Sequence, residues 1–522
     1  MKLTLCLWLC AGAAFGQSKV WIADNGDGTY KNPILHADYS DPDVVRVGED
    51  FYLTASSFNA VPGLPILHSK DLVNWALMGH VFTAQPPYDV FAKPQHGNGA
   101  WAPAIRFHGG EFYIFYPDPD YGIYVVKARN PAGPWSEPLL IKTAKGWIDP
   151  CPLWDDDGRA YLVNAMAASR SGVKSVLIVS RMNPEGTKLL DSGAIVYDGH
   201  AQDPTVEGPK IYKRSGYYYL SAPGGGVPTG WQLVLRSRNI YGPYERRVVL
   251  AQGKTAINGP HQGGWVDTPA GEFWFVHFQD QGAYGRIVHL EPMKWVDDWP
   301  VMGNNGEPVL VHKKPNVGKT YAVQTPPDSD EFNGGRLGLQ WQWHANPRAN
   351  WGFPSPLGFL RLIAVPLPEG FHNFWDVPNL LLQKFPAPVF RATTKMTFTP
   401  HGSEEKAGLL VMGTDYAYLS VKQAGAGLAV SQTICRNADR GAAEKESAVA
   451  NVQSFTVYLR VKVTEGAICH FSYSSDGEAF TEVGEAFPAK AGRWIGAKMG
   501  LFAIGGHSGE FGYGDFDWFR VE

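Results

Sequence analysis

The sequence predicts an all-β chain of two domains, a five-bladed β-propeller followed by a β-sandwich of jelly-roll type. Three observations carry this. Five stretches repeat one pattern: a short apolar strand, a tight Gly-containing turn, then an aromatic strand. A proline-marked stretch without apolar periodicity, Lys313–Asp330, interrupts the chain. Beyond it, strand-like runs resume in a different arrangement. No helical period of useful length lies between the strands, which argues against a parallel α/β barrel.

The elements follow in chain order. Residues 1–16 read as a signal peptide: Lys2 supplies the positive start, Leu3–Ala14 the apolar stretch, and Ala14-Phe15-Gly16 a small-x-small cleavage site. The stretch is too short to span a membrane. The implied destination is secreted or periplasmic. Residues 17–315 form the propeller. Its repeats run Asp41–Thr54, Ala102–Phe115, Asp149–Val163, Glu207–Leu220 and His261–Phe275, each with the signature of a hairpin. A third strand follows each: Ile66–Ser69, Ile123–Val126, Val176–Val179, Leu233–Leu235 and Ile287–Leu290. The period is roughly 50–60 residues, somewhat longer than common propeller blades. Four-stranded blades around a central channel satisfy this pattern.

Residues 316–329 read as a linker, marked by Pro326 and Pro327. Residues 330–522 form the second domain. Its strands are read at Gly408–Met412, Tyr416–Val421, Phe455–Val463, His470–Tyr473 and Gly514–Val521. Phe455–Val463 alternates apolar and polar residues, as a half-buried strand must. Ser474-Ser475-Asp476-Gly477 is a hairpin turn.

Composition narrows the function. The formal net charge is −4 and no basic block exists, so neither nucleic acid nor an anionic membrane is an expected partner. The chain carries 18 Trp and 23 Tyr, enough both to fill β-rich cores and to stack on sugar rings. Cys6 and Cys10 fall within the leader, leaving Cys151, Cys435 and Cys469. Of these, Cys435 and Cys469 could pair within the second domain. No CxxC or HExxH spacing signals zinc.

Three of the five repeats open on a carboxylate: Asp41, Asp149 and Glu207. Equivalent positions of a radial fold converge on one axis. Taken singly, an Asp before Pro commonly starts a turn, and Asp38, Asp43 and Asp155–Asp157 read as such turn and solvated residues. Glu207 before Gly208-Pro209 fits no such turn. Three acids in phase that cannot all ionise comfortably are a catalytic arrangement, of the kind glycosidases use.

At these motifs the chain resembles glycoside hydrolase family 43. The matching strings include Asn32-Pro33-Ile34, Ala37-Asp38-Tyr39-Ser40-Asp41-Pro42-Asp43, Trp101-Ala102-Pro103, Ile148-Asp149-Pro150, Glu207-Gly208-Pro209-Lys210-Ile211-Tyr212, Gly259-Pro260-His261-Gln262 and Gly285-Arg286-Ile287-Val288-His289-Leu290. Residues from about 326 onward resemble the concanavalin A-like C-terminal domain of that family's β-xylosidases. The resemblance implies an inverting, exo-acting hydrolase that releases terminal xylose or arabinofuranose from hemicellulose oligosaccharides. By motif position, Asp41 is the implied general base, Glu207 the general acid and Asp149 the residue that tunes it. Phe58 and Trp101 match walls of the terminal sugar site, and Arg286 a substrate-contacting arginine. His261 matches an axial histidine that faces a water cluster or a structural Ca²⁺. No cofactor is required. The loop Ala222–Val227 lacks the acidic residue and threonine of the better-known β-xylosidases, which leaves the sugar open.

The chemistry demands this layout. One protonated carboxyl gives its proton to the leaving oxygen, while an ionised one activates water on the opposite face, roughly 6.5–9.5 Å away. A nearby like charge keeps the acid protonated near neutral pH, and Asp149 can supply it. In the second domain, the glycine-rich loop Gly505–Gly514 reads as a flexible hairpin. Its functional reading has His507 or Phe511 closing the pocket.

Two other enzyme classes fit less well. A retaining fructosidase would need an Asp-Pro-Asn-Gly-type segment, and a sialidase would need repeated Ser-x-Asp-x-Gly-x-Thr-Trp boxes. The non-enzyme alternative is a carbohydrate-binding propeller that has lost activity. It has no need of three mutually repelling acids.

Overall fold

The computed structural model describes residues 17–425, 427–506 and 510–522. The leader-like segment 1–16 and His507 lie outside them. Five four-stranded antiparallel sheets form the propeller. The first comprises Asp43–Val47, Asp50–Thr54, Gly63–Ser69 and Trp75–Phe82. The innermost strands of the others are Ala104–His108, Trp147–Trp154, Lys210–Arg214 and His261–Asp267. Each expected hairpin and third strand is present. The fourth, outermost strands, such as Leu139–Thr143 and Ala194–Asp198, escaped the sequence reading because they are short and half exposed.

The ring closes through residues that precede the first blade. Asn32 donates to the carbonyls of Leu290 and Val309 and accepts from the N–H of Leu290. Thr29–Lys31 pairs with Val311–Lys313. The blades are also sewn together around the axis. Asp43 accepts from Ile105 N–H at 2.9 Å and from Arg106 at 2.7 Å. Arg106 reaches Cys151 Sγ at 2.9 Å and lies over the Tyr212 ring, and the Tyr212 hydroxyl accepts from Trp265 N–H. One residue from each blade thus takes part.

The reading of Asp43 and Asp155 as solvated is therefore corrected. Asp43 is fully buried and Asp155 pairs with Lys213 and Tyr218. A buried carboxylate is tolerated where it is paired and hydrogen-bonded.

The second domain packs a seven-stranded sheet against an eight-stranded one. Leu409, Val411, Leu419 and Val430 from one sheet meet Leu459, Val461, Phe516 and Phe519 from the other. Thr456–Thr464 buries every second side chain on this core. A second apolar cluster covers the outer face of the seven-stranded sheet, where Phe374 stacks on Tyr416 and Tyr418.

That two-sided burial corrects the cysteine pairing. Cys435 points to the outer cluster and Cys469 to the inter-sheet core. All three cysteines of the described residues are free and buried. The segment read as a linker is strapped down: Lys314 binds Asp24 and Asp71, and Thr325 donates to the Ser18 carbonyl.

Candidate active site

Asp41, Asp149 and Glu207 line one cavity of about 220 Å³ on the propeller axis, together with Phe58, Trp101, Gln262, Arg286 and Trp494. The three acids come from the entries to the first, third and fourth blades. Local backbone aims them. Asp41 (φ 55°) and Asp149 (φ 57°) both sit in the left-handed region, although each precedes a proline. Such conformations cost of order 1–3 kcal/mol and persist where the surroundings impose them. At Asp149 the strand register is irregular between Ile148 and Cys151, and at Gln262 between His261 and Gly263. Bulges of this kind re-aim side chains next to functional sites.

Asp41 is held by donors only. Its Oδ2 accepts from the hydroxyls of Ser40 and Ser56, both at 2.6 Å, and Arg286 Nη1 reaches its Oδ1 at 3.1 Å. Arg286 also donates to Ser40. A carboxylate satisfies this donor set; a carboxylic acid would not. The pair is nearly dry, with side chains 10% and 5% exposed.

Glu207 has the opposite surroundings. Among the described residues no hydrogen-bond donor holds its carboxyl, and burial raises its pKa, with the charge of Asp149 raising it further. Burial likewise lifts Asp149, but a backbone N–H, that of Gly208 at 2.7 Å, opposes the lift. Both carboxyls are thus lifted above their ordinary values, and of the two Asp149 has the backbone donor that favours its charged form. Gly208 must be glycine: its φ is 59°, and an added Cβ would fall 2.6 Å from Gln262 Cγ. The Glu207 side chain keeps 28% exposure toward the cavity, so a ligand can reach it.

His261 Nε2 stands 3.5 Å from Glu207 Oε1. The ring is fully buried, which lowers its pKa to about 3 and keeps it neutral, and neither nitrogen has a hydrogen-bond partner among the described residues. Among the described residues no group of three or more His, Cys, Asp or Glu side chains gathers to hold a metal ion. With its two nitrogens unpaired, His261 could meet an ion there only as one ligand among waters.

The walls are aromatic. Phe58 and Trp101 meet edge to face at 6.3 Å, and Trp101 is pinned by its Nε1 to the Gly97 carbonyl. The third wall comes from the second domain and was missed. Trp494 lies 6.3 Å from Trp101 and 5.8 Å from the Arg286 guanidinium. None of the described residues of Gly505–Gly514 lines the cavity. Phe511 packs beside Gly506 instead of lining the cavity, and His507 lies outside the described residues. Gln262 was also missed; it follows an in-phase histidine, but its bulge could not be read from the sequence.

Comparisons with known proteins agree with this architecture. The profile of Glycosyl hydrolases family 43 matches residues 30–300, and that of the Beta xylosidase C-terminal Concanavalin A-like domain matches residues 329–522. A putative beta-xylosidase of Xylanibacter ruminicola is 41% identical over 93% of this chain and 88% of its own. The non-reducing end alpha-L-arabinofuranosidase BoGH43B of Bacteroides ovatus is 28% identical over 94% of each chain. Among solved structures, the GH43 BlXynB protein of Bacillus licheniformis superposes with a TM-score of 0.83 at 28% identity, covering 94% of this chain and 99% of its own.

Fold and relatives define the class: this is a glycoside hydrolase built on a five-bladed propeller. The chain belongs to glycoside hydrolase family 43.

Proposed function

We propose that the protein is an exo-acting, inverting hydrolase that releases terminal β-xylose or α-L-arabinofuranose from hemicellulose oligosaccharides. The observation that carries this is the contrast between two acids on one cavity. Glu207 is held protonated by burial and a neighbouring charge, and Asp41 is held by an arginine and two hydroxyls. In this reading Glu207 donates its proton to the leaving oxygen. Asp41 draws the proton from a water on the far side of the sugar, and that water attacks the anomeric carbon. Asp149 keeps the proton on Glu207 until substrate binds. Arg286 orients Asp41 and meets sugar hydroxyls.

Exo action is supported by the size and closure of the cavity. The cavity of about 220 Å³ is walled by Phe58, Trp101 and Trp494, as a site for a terminal sugar requires. Trp494 closes one side. The choice between the two pentoses rests on relatives of both kinds, and Val227 of the departing loop lines the cavity. A Ca²⁺ on the axis would take His261 as its protein ligand and would act electrostatically; the proton transfers belong to Glu207 and Asp41. Export rests on the leader-like segment 1–16.

The test is release of free pentose from xylobiose, arabinoxylan and arabinan, with the product anomer followed by NMR at early times. Inversion requires the first-formed anomer to be opposite to that of the substrate. Retention would overturn the assignment of Asp41 as base. Sugar binding without turnover would favour the lectin alternative.

A further inference from the structure

Trp494 belongs to the second domain, yet it forms a wall of a pocket made by the first. Its place is set by Asp38. Asp38 Oδ1 accepts the backbone N–H of Arg286 at 2.9 Å, and Oδ2 accepts the backbone N–H of Gly496 at 2.9 Å. Arg286 is the residue whose side chain holds Asp41, and Gly496 lies two residues beyond Trp494. The carboxylate is buried at 5% exposure. Gly285 makes room for it: φ is 77°, and an added Cβ would fall 2.5 Å from Asp38 Cγ. The seam continues beside it, with Ala497 N–H donating to the Ala283 carbonyl at 2.7 Å and Ala467 N–H donating to the Tyr284 hydroxyl at 2.8 Å. Burial lowers the pKa of Lys498 and of the half-buried Lys384 of the sandwich, and the Asp38 charge opposes that fall in both. The reading of Asp38 as a solvated turn residue is thereby corrected.

We propose that Asp38 is a positioning residue that fixes the Trp494 wall from the second domain and the Arg286–Asp41 pair of the first with one carboxylate. This rests on the hydrolase reading above. The active pocket is then a two-domain structure. Its sugar affinity depends on a group that touches neither substrate nor the reacting atoms.

The experiment uses the full-length protein and four forms: wild type, Asp38→Asn, Trp494→Ala and the double variant. Asparagine keeps the shape but accepts at one atom only, so one of the two N–H groups loses its partner. Losing one hydrogen bond to a charged group should raise KM for the pentoside about tenfold or more, with kcat falling less. Trp494→Ala should raise KM comparably. In that background Asp38→Asn should add less than about threefold, since groups acting through one another are not additive. A second readout needs no substrate: hydrogen exchange at Gly496 and Ala497 should quicken in Asp38→Asn relative to the sandwich core.

Additive KM effects, or a lowered Tm with KM and exchange unchanged, would overturn the proposal. Quickened exchange in a protein whose wild type releases no pentose would leave the clamp standing and sink the hydrolase reading instead. Asp38→Glu, which keeps the charge but displaces the oxygens, is the second variant should Asp38→Asn not fold, with the same direction expected in both readouts.

Discussion

Asp149 Oδ2 accepts the backbone N–H of Gly208 at 2.7 Å, the residue directly after Glu207. Two blades are joined by this bond, and it holds one carboxylate beside another. Asp149 is anchored by the chain that carries Glu207, so its charge acts on Glu207 at a fixed place. The bond holds Asp149 in place while the Glu207 side chain faces the cavity.

Glu207→Gln should lower kcat by about 10²–10⁴ on xylobiose, where the leaving oxygen needs a proton. Nitrophenyl pentosides, whose leaving group needs little help, should lose far less. Steady-state rates on both substrates check this. Equal losses would remove Glu207 from the role of acid.

The same substitution should stabilise the fold. The pKa of Glu207 is raised in the native state, mainly by burial. The native state therefore binds more protons than the unfolded one between the ordinary glutamate pKa and the raised value. Stability falls as pH rises through that window. Glutamine has no proton to lose, so at pH 7–8 Glu207→Gln should gain roughly 1 kcal/mol, in the manner of active-site replacements. The gain should vanish near pH 4, below the unfolded pKa. Urea melts at the two pH values measure it.

Asp149→Asn should move the alkaline limb of the kcat/KM profile to lower pH. That limb reports loss of the proton from Glu207 in the free enzyme. Removing the Asp149 charge removes the larger of the two neighbouring negative charges that lift this pKa, leaving burial and the charge of Asp41. A limb that stays in place while kcat falls would assign Asp149 a purely structural role.

Arg286→Ala should destabilise the protein by about 3–5 kcal/mol, because it strands the Asp41 carboxylate without its cation in a dry site. In an Asp41→Asn background the same change should cost much less. A double-mutant cycle on denaturant midpoints gives the coupling. An additive result would mean that the pair at 3.1 Å contributes nothing beyond its separate members.

Reductant should leave Tm unchanged. Cys435 lies on the outer face of the seven-stranded sheet, Cys469 on the eight-stranded sheet facing the inter-sheet core, and no disulfide joins them. Thiol labelling under denaturant, on protein lacking residues 1–16, should add three labels. One label with one disulfide would contradict the packing described above.

The propeller and the in-phase acids were legible in the sequence because both are local. A hairpin is declared by its turn and by residue alternation within about fifteen positions, and five such units in one phase place Asp41, Asp149, Glu207 and His261 around a common axis. The strand alternation of Thr456–Thr464 is local in the same way. The tertiary structure alone decided which groups complete the pocket. Asp38 and Gly496 meet across 458 positions of chain, and the bond depends on how two finished domains dock. Asp43 reads as a turn aspartate until Ile105 and Arg106 arrive from the next blade, and Trp494, still 55% exposed, reaches the cavity only because the two domains dock. Local pattern determines the shape of each unit. Burial and pairing between distant units determine the charge and reach of each side chain, and the sequence order holds no record of that docking.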